Sequence, residues 1–229
     1  MDRVVVAQRL GPVPWRCIWG GWMGAFSRGF AGFAVALFAL SVSTSLSAAC
    51  KPENALYEDD FEFLDVSWGA ADDSILVEDG TLLINGSGGL VNLETKTKGA
   101  AICVDVSIRE AAEVPSSPAG VVFWWQDWKN YYAVFLWADG WLEVRRMDDG
   151  KSKTLFTQQT GALEAGAGAI NSIELSLRPK DTTLSVNAQE VRRFKAKRPK
   201  DGGAVGLYGV SPDTAPAKFG FDNFIVDER

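Results

Sequence analysis

The chain has 229 residues, 23 Lys and Arg against 29 Asp and Glu, a formal net charge of −6 and no histidine. An acidic balance disfavours nucleic acid as a partner. The missing histidine removes Ser-His-Asp and Cys-His nucleophiles and every His-ligated transition metal, and three cysteines are too few for a disulfide-built scaffold.

Residues 1–49 read as a secretory signal peptide. Four arginines and a single acid, Asp2, accompany the apolar run AGFAVALFALSV, Ala31 to Val42, and the small residues of STSLSAAC follow. That is a positive region, an apolar region and a small-residue cleavage site in the order a leader requires, and the run falls short of the roughly 20 residues of a membrane span. Met23, heading MGAFSRGF, is an alternative start that would give a leader of more ordinary length. Export implies an extracytoplasmic address, periplasmic or anchored to the envelope. Cleavage leaves 19 Lys and Arg against 28 Asp and Glu, and only Cys50 and Cys103. Three readings of Cys50 stay open: the lipid-bearing cysteine of a bacterial lipoprotein, a disulfide partner of Cys103, or a free thiol. Ser47 stands where a lipidation motif usually has Leu. The membrane enters only through such an anchor. Residues 50–56 read as a short tether, and residues 57–229 as one domain.

From Tyr57 onward short β-rich runs alternate with turn clusters, without a helix of ordinary length. In chain order the runs are SILVED, GTLLIN, GLVNLE, AAICVDVSIRE, GVVFWWQD, NYYAVFLWA, GWLEVRRMD, KTLFTQ, INSIELSLRP, TTLSVNA, EVRRFKA, AVGLYGV and AKFGFDNFIV. Their spacing, and the Asp-Gly signals in EDGT, ADGW and DDGK, predict an all-β sandwich or barrel of antiparallel hairpins. AAEVPSSPA and QQTGALEAGAGA read as longer rim loops.

Period-2 alternation sorts side chains to two faces. In the fourth run Ile102, Val104, Val106 and Ile108 go to the core, against Cys103, Asp105, Ser107 and Arg109. In the aromatic hairpin, Val121, Phe123 and Trp125 are expected inside, with Tyr132, Val134, Leu136, Leu142 and Val144. The opposite face then carries Trp124, Tyr131, Phe135, Trp137 and Trp141 beside Gln126, Glu143, Arg145 and Asp105. A bulge of one residue would reverse these assignments.

Gly120, Phe123, Gln126, Asp127, Asn130, Tyr131 and Tyr132 match a Gly-x-x-Phe-Arg-x-Gln-Asp-x-x-Asn-Tyr-Tyr pattern, with Trp124 in place of the arginine. With SVNAQEV, GAVGLYG and the closing FGFDNFIV, this resembles the concanavalin A-like lectin/glucanase (LamG-like) superfamily, in particular its bacterial 3-keto-disaccharide hydrolase branch. Over residues 57 to 227 the resemblance implies a two-sheet antiparallel jellyroll sandwich whose concave face or loops commonly meet carbohydrate.

Sugar rings present apolar C–H faces to aromatics and hydroxyls to planar polar groups. The leading expectation is therefore a glycan-binding module without chemistry, using Trp124, Gln126, Tyr131, Trp137, Trp141 and Arg145. A glycoside hydrolase acting on a disaccharide or 3-keto-glycoside would need a carboxylate pair, for which Asp105 and Glu143 are the candidates. The Glu-x-Asp-x-x-Glu signature of related retaining glucanases is absent. An envelope protein-interaction module would use the same aromatic face. The resemblance also suggests that the first and last strands pair, bringing Asp59 or Asp60 towards Asp222. A structural Ca²⁺ on Asp60 and Asp222 is the one cofactor this leaves open. RRFKAKRPK, Arg192 to Lys200, is a basic run in an acidic domain, read either as a solvated rim or as a site for an anionic glycan or phospholipid head group.

Overall fold

A computed structural model describes residues 50–110, 117–212 and 215–228. The expected signal peptide lies outside the described residues. The strands are β1 (Ala55–Asp59), β2 (Ile75–Glu78), β3 (Thr81–Asn85), β4 (Gly88–Thr97), β5 (Ala100–Glu110), β6 (Ala119–Asp127), β7 (Asn130–Leu136), β8 (Trp141–Asp148), β9 (Lys151–Gln159), β10 (Ile170–Leu177), β11 (Thr182–Val186), β12 (Gln189–Phe194), β13 (Gly203–Gly209) and β14 (Lys218–Glu228). They form two antiparallel sheets, as the alternating pattern predicts. The larger runs β12-β11-β10-β5-β14-β3-β2, with β1 also paired to β14, and the smaller runs β4-β13-β6-β7-β8-β9.

Turn chemistry sets the hairpins. Asp79 and Gly80 (φ 50° and 68°) join β2 to β3, and Asp149 and Gly150 (φ 49° and 74°) join β8 to β9. Both central residues are left-handed, as a type I′ hairpin turn demands. The β11–β12 turn does the same without glycine, using Asn187 and Ala188 (φ 49° and 62°). Here side-chain bonds compensate: Asn187 Nδ2 donates to the Ala162 carbonyl and Asn171 Oδ1, each at 2.9 Å, and Asn187 Oδ1 accepts from Ser172 N at 2.9 Å.

The core lies between the sheets. Leu82, Ile84, Ile102, Val104, Val106, Ile173, Leu175, Phe219 and Phe221 of the larger sheet pack on Val121, Phe123, Val134, Leu142, Val144, Val205 and Leu207 of the smaller. Removing this apolar area from water is the main force holding the layers together.

Residues 50–56, expected as a tether, belong to the domain instead. Cys50 is disulfide-bonded to Cys103 on β5, with Cα atoms 6.1 Å apart, and β1 already begins at Ala55, where it pairs with Asp227 of β14. The bond uses the sulfur that a lipid anchor on Cys50 would need. Of the three readings of Cys50, the structure carries the disulfide.

Candidate functional site

One residue decides which aromatic rings reach the outer face of the smaller sheet. Trp124 has φ 48°, and strand register shifts around it, between Phe123 and Asp127 against β7 and between Ala204 and Gly206 against β13. This is a β-bulge. Phe123 and Trp124 therefore both enter the inter-sheet core, and Trp124 is only 1% exposed. Gly203 makes room, since a Cβ there would stand 2.4 Å from the Trp124 carbonyl carbon. The expectation for this strand is corrected in both directions. Trp124 is a core residue rather than an outer-face ligand contact, and Trp125, expected inside, packs on the outer face.

Beyond the bulge the alternation holds. Val122, Tyr131, Ala133 and Phe135 form a second apolar cluster on the outer face, covered by Trp125, Trp137, Met147, Tyr208 and Val210. The rings touch in series: Trp128 to Tyr208 at 5.6 Å between centroids, Tyr208 to Phe135 at 5.9 Å, and Phe135 to Trp137 at 6.3 Å. Such tilted and edge-on contacts suit the ring quadrupoles. The Arg145 guanidinium sits 5.2 Å above the Phe135 ring. The row follows β7, whose seven residues extend about 20 Å.

At the β7–β8 end of this row lies an open depression of about 250 Å³ lined by Trp137, Asp139, Trp141, Leu142, Glu143 and Thr157. Trp137 N donates to the Trp141 carbonyl at 2.9 Å and Gly140 N to the Trp137 carbonyl at 3.1 Å, with Gly140 at φ 88°. This hairpin brings both indoles to one hollow. Trp141 is 43% exposed. The volume lies below the ~300–1,000 Å³ of sites for drug-sized ligands, a size suited to a single small ring.

Glu143 is held as a carboxylate. Its Oε1 accepts from Arg145 Nε and Thr154 Oγ1, both at 2.8 Å, and its Oε2 accepts from Arg145 Nη2 at 3.1 Å. Burial pushes its pKa up, but the bonds from Arg145 and Thr154 and the Arg145 charge outweigh that, leaving it below the ordinary glutamate value. Tyr131, buried on the same face, is raised by burial first and by the neighbouring Tyr208, with Arg145 opposing.

Asp105 stands elsewhere. It lies on β5 of the larger sheet, while Val104 and Val106 beside it enter the core. Its carboxylate accepts from the Ser172 hydroxyl, and from Asn223 Nδ2 at 2.9 Å. Glu143 faces outward from the other sheet, so the core separates the two groups. The expected Asp105–Glu143 pair does not exist, because face alternation within a strand cannot say which sheet the strand joins. Gln126 is displaced too: past the bulge it borders a different cavity with Trp124 and Tyr132. Among the expected ligand contacts, Trp137 and Trp141 share the depression, Arg145 sits over the Phe135 ring, and Tyr131 is buried towards the other end of β7 against Trp128. Asp139, Thr157, Trp125, Trp128 and Tyr208 join this face without having been expected there. For Trp128 the available signal was its place in the Asp127–Asn130 turn, where a large apolar side chain finds little core.

The pairing of β1 with β14 is present. Burial raises the Asp222 pKa, the backbone bond from Asn223 lowers it, and the charges of Asp105 and Asp60 raise it further. Asp60 and Asp222 thus feel each other, yet no cluster of three or more Asp, Glu, Cys or His is placed to hold a metal among the described residues. Asp59 is already engaged by Trp68 Nε1 and Phe61 N, each at 2.8 Å.

No protein-family profile matches the chain, and no curated protein matches it in sequence. Solved structures do. A carbohydrate-binding module, CBM66, from Bacillus subtilis superposes with a TM-score of 0.53 at 13% identity over 64% of this chain and 86% of that one. A β-glucanase from Bacillus licheniformis gives a TM-score of 0.59 at 9% identity over 76% and 97%. A prokaryotic β-1,3-1,4-glucanase (lichenase) derived from a mouse hindgut metagenome gives 0.56 at 10% over 75% and 98%. The fold is the concanavalin A-like jellyroll. At such identities the likeness concerns the jellyroll alone.

Proposed function

We propose that this jellyroll is an exported, non-catalytic carbohydrate-binding module of the cell envelope. The observation that carries the reading is the depression where Trp137 and Trp141 stand beside the Glu143–Arg145 pair. An indole face stacks on the C–H face of a pyranose, and a fixed carboxylate and guanidinium bond its hydroxyls. The ring series towards Trp128 offers further stacking positions. A structural neighbour that is a carbohydrate-binding module supports the reading.

Catalysis by Glu143 is disfavoured by its environment. A glycosidic general acid needs a raised pKa and a second carboxylate at a defined separation, whereas Glu143 is lowered and occupied. The presence of Asp139 in the same depression, with β-glucanases among the neighbours, keeps glycoside hydrolysis as the second reading.

Calorimetric titration of the full chain with neutral oligosaccharides tests the proposal. Trp137→Ala and Trp141→Ala are each expected to weaken binding about tenfold or more, the scale of a stacking anchor. Unchanged affinity in both variants discards this face. Sugar release by the native protein that disappears in Asp139→Asn and Glu143→Gln replaces binding by hydrolysis. Copurification of a stoichiometric protein partner without any sugar binding favours an interaction module. Thiol labelling of the chain from the cell, with and without reductant, checks the export and the Cys50–Cys103 bond together; thiols free without reductant count against both.

A further inference from the structure

A second cavity, about 340 Å³, lies at the open end of the sandwich where the segment 197–200 folds against β6, β7 and β8. The segment is pinned there, because the Tyr132 hydroxyl accepts from Lys197 N at 3.0 Å and donates to the Lys197 carbonyl at 3.5 Å. Four cationic side chains line the cavity: Arg146, Lys197, Arg198 and Lys200. Arg146 is placed by Asp148 Oδ1 at 2.8 Å and by the Tyr132 ring, 5.7 Å from its guanidinium carbon. The other three take part in none of the ion pairs among the described residues. One carboxylate thus faces four cations in a chain whose overall charge is negative.

A second, independent observation comes from the cavity wall. Trp124, which lines the cavity from the core side, carries an indole N–H that is buried without an acceptor among the described residues. An orphaned buried donor costs stability unless something bonds it. The bulge holds Trp124 at this place at a left-handed φ, a conformation unfavourable for a large residue. Gln126, also on the wall, spends none of its amide donors within the described protein.

We infer that this end cavity binds the anionic group of an acidic saccharide, a uronate carboxylate or a sugar sulfate. Lys and Arg supply the charge, and the exposed Gln126 amide supplies neutral donors. A concave polar cavity with ring walls from Tyr131 and Tyr132 fits a compact anion carried on a sugar ring, not the flat surface of a bilayer. The saccharide identity rests on the glycan-binding reading above. The anion site itself uses different residues, so the two fail separately.

The test titrates the full chain with a galacturonate hexasaccharide, a sulfated disaccharide and a neutral β-glucan hexasaccharide at low and at physiological salt. Substituting Lys197, Arg198 and Lys200 together by Ala is expected to weaken the acidic ligands about tenfold or more and to flatten their salt dependence. Gln126→Leu keeps the bulk of an exposed side chain, removes its amide donors and is expected to weaken them severalfold. Trp141→Ala is expected to weaken the neutral glucan while the acidic ligands keep their steep salt dependence. Lys180→Ala with Lys218→Ala, at the β10–β11 turn and on β14 of the larger sheet, controls for general charge and should change nothing. The inference is overturned if the triple variant binds acidic saccharides as the native chain does. It is overturned equally if no acidic saccharide binds, or if phosphatidylglycerol vesicles are retained through Lys197, Arg198 and Lys200 while the acidic sugars are not.

Discussion

The two outer faces of this sandwich obey one alternation rule and come out chemically opposite. On the larger sheet the outward positions include Asp105, Ser107 and Arg109 of β5 and Ser172 and Glu174 of β10, and short bonds tie them down: the Ser172 hydroxyl donates to Asp105, the Ser107 hydroxyl to the Gly220 carbonyl and Arg109 Nη2 to Thr81 Oγ1. On the smaller sheet the same positions hold Val122, Ala133 and Phe135, each 1% exposed or less although no third layer of sheet lies over them among the described residues. Their cover is a second storey of rings from the same face, Trp125, Trp137 and Tyr208 among them. Among the described residues, this self-covered apolar face ends in two rings that are only partly covered, Trp128 and Trp141, each 43% exposed. Exposed aromatics ending such a face call for a ligand-based explanation more than scattered surface apolar residues do.

Trp124 and Trp141 break this comparison open most sharply, since both are tryptophans of one aromatic run. Trp124→Ala empties a fully buried site, and a loss of about 3–5 kcal/mol is expected, read by chemical denaturation. A loss under about 1 kcal/mol would mean that the bulge does not turn this ring into the core. Gly203→Ala, which drives a methyl into the Trp124 backbone, should damage the fold by the same route.

Glu143 tests the chemistry of the outer face at an intermediate scale. Its folded-state pKa lies below the unfolded value, so its stabilising contribution is present above about pH 4 and is lost as pH falls through the folded value. Glu143→Gln is expected to cost about 1–2 kcal/mol at pH 7, the worth of the charged hydrogen bonds between a buried carboxylate and a partly exposed arginine. The difference from the native chain should narrow on acidification below about pH 4. Denaturation at pH 7 and pH 3 checks this. A gap that stays constant with pH would show that Arg145 and Thr154 do not hold the carboxylate as described.

The strands were legible from the sequence because alternation and Asp-Gly turns are local. AAICVDVSIRE and β5 share their limits, Ala100–Glu110, and the EDGT and DDGK turns are the left-handed pairs their residues require. The first strand was less legible: ALYED has only a short alternation, and its partner Ile225 lies far along the chain. The site was half legible. Trp137, Trp141, Glu143 and Arg145 follow simple alternation along β7 and β8, whereas Trp124 and Trp125 exchange faces at a bulge set by Gly203 on a strand some 80 residues later. Asp105 failed for another reason, since period 2 gives a residue's face but not its sheet. That assignment depends on long-range pairing, here β5 between β10 and β14.

Trp141→Ala gives the smallest expected change in stability and completes the contrast with Trp124. Its ring contributes to none of the aromatic contacts among the described residues and is 43% exposed, so its removal should shift unfolding by no more than about 0.5 kcal/mol. A ring that costs almost nothing to remove from the fold, yet carries sugar affinity, is held for its ligand rather than for packing. If Trp141→Ala instead unfolds like Trp124→Ala, the indole is structural and the depression beside Glu143 loses its claim to be a binding site. Stability and affinity measured on the same two variants therefore separate the two roles that tryptophan plays on either side of one sheet.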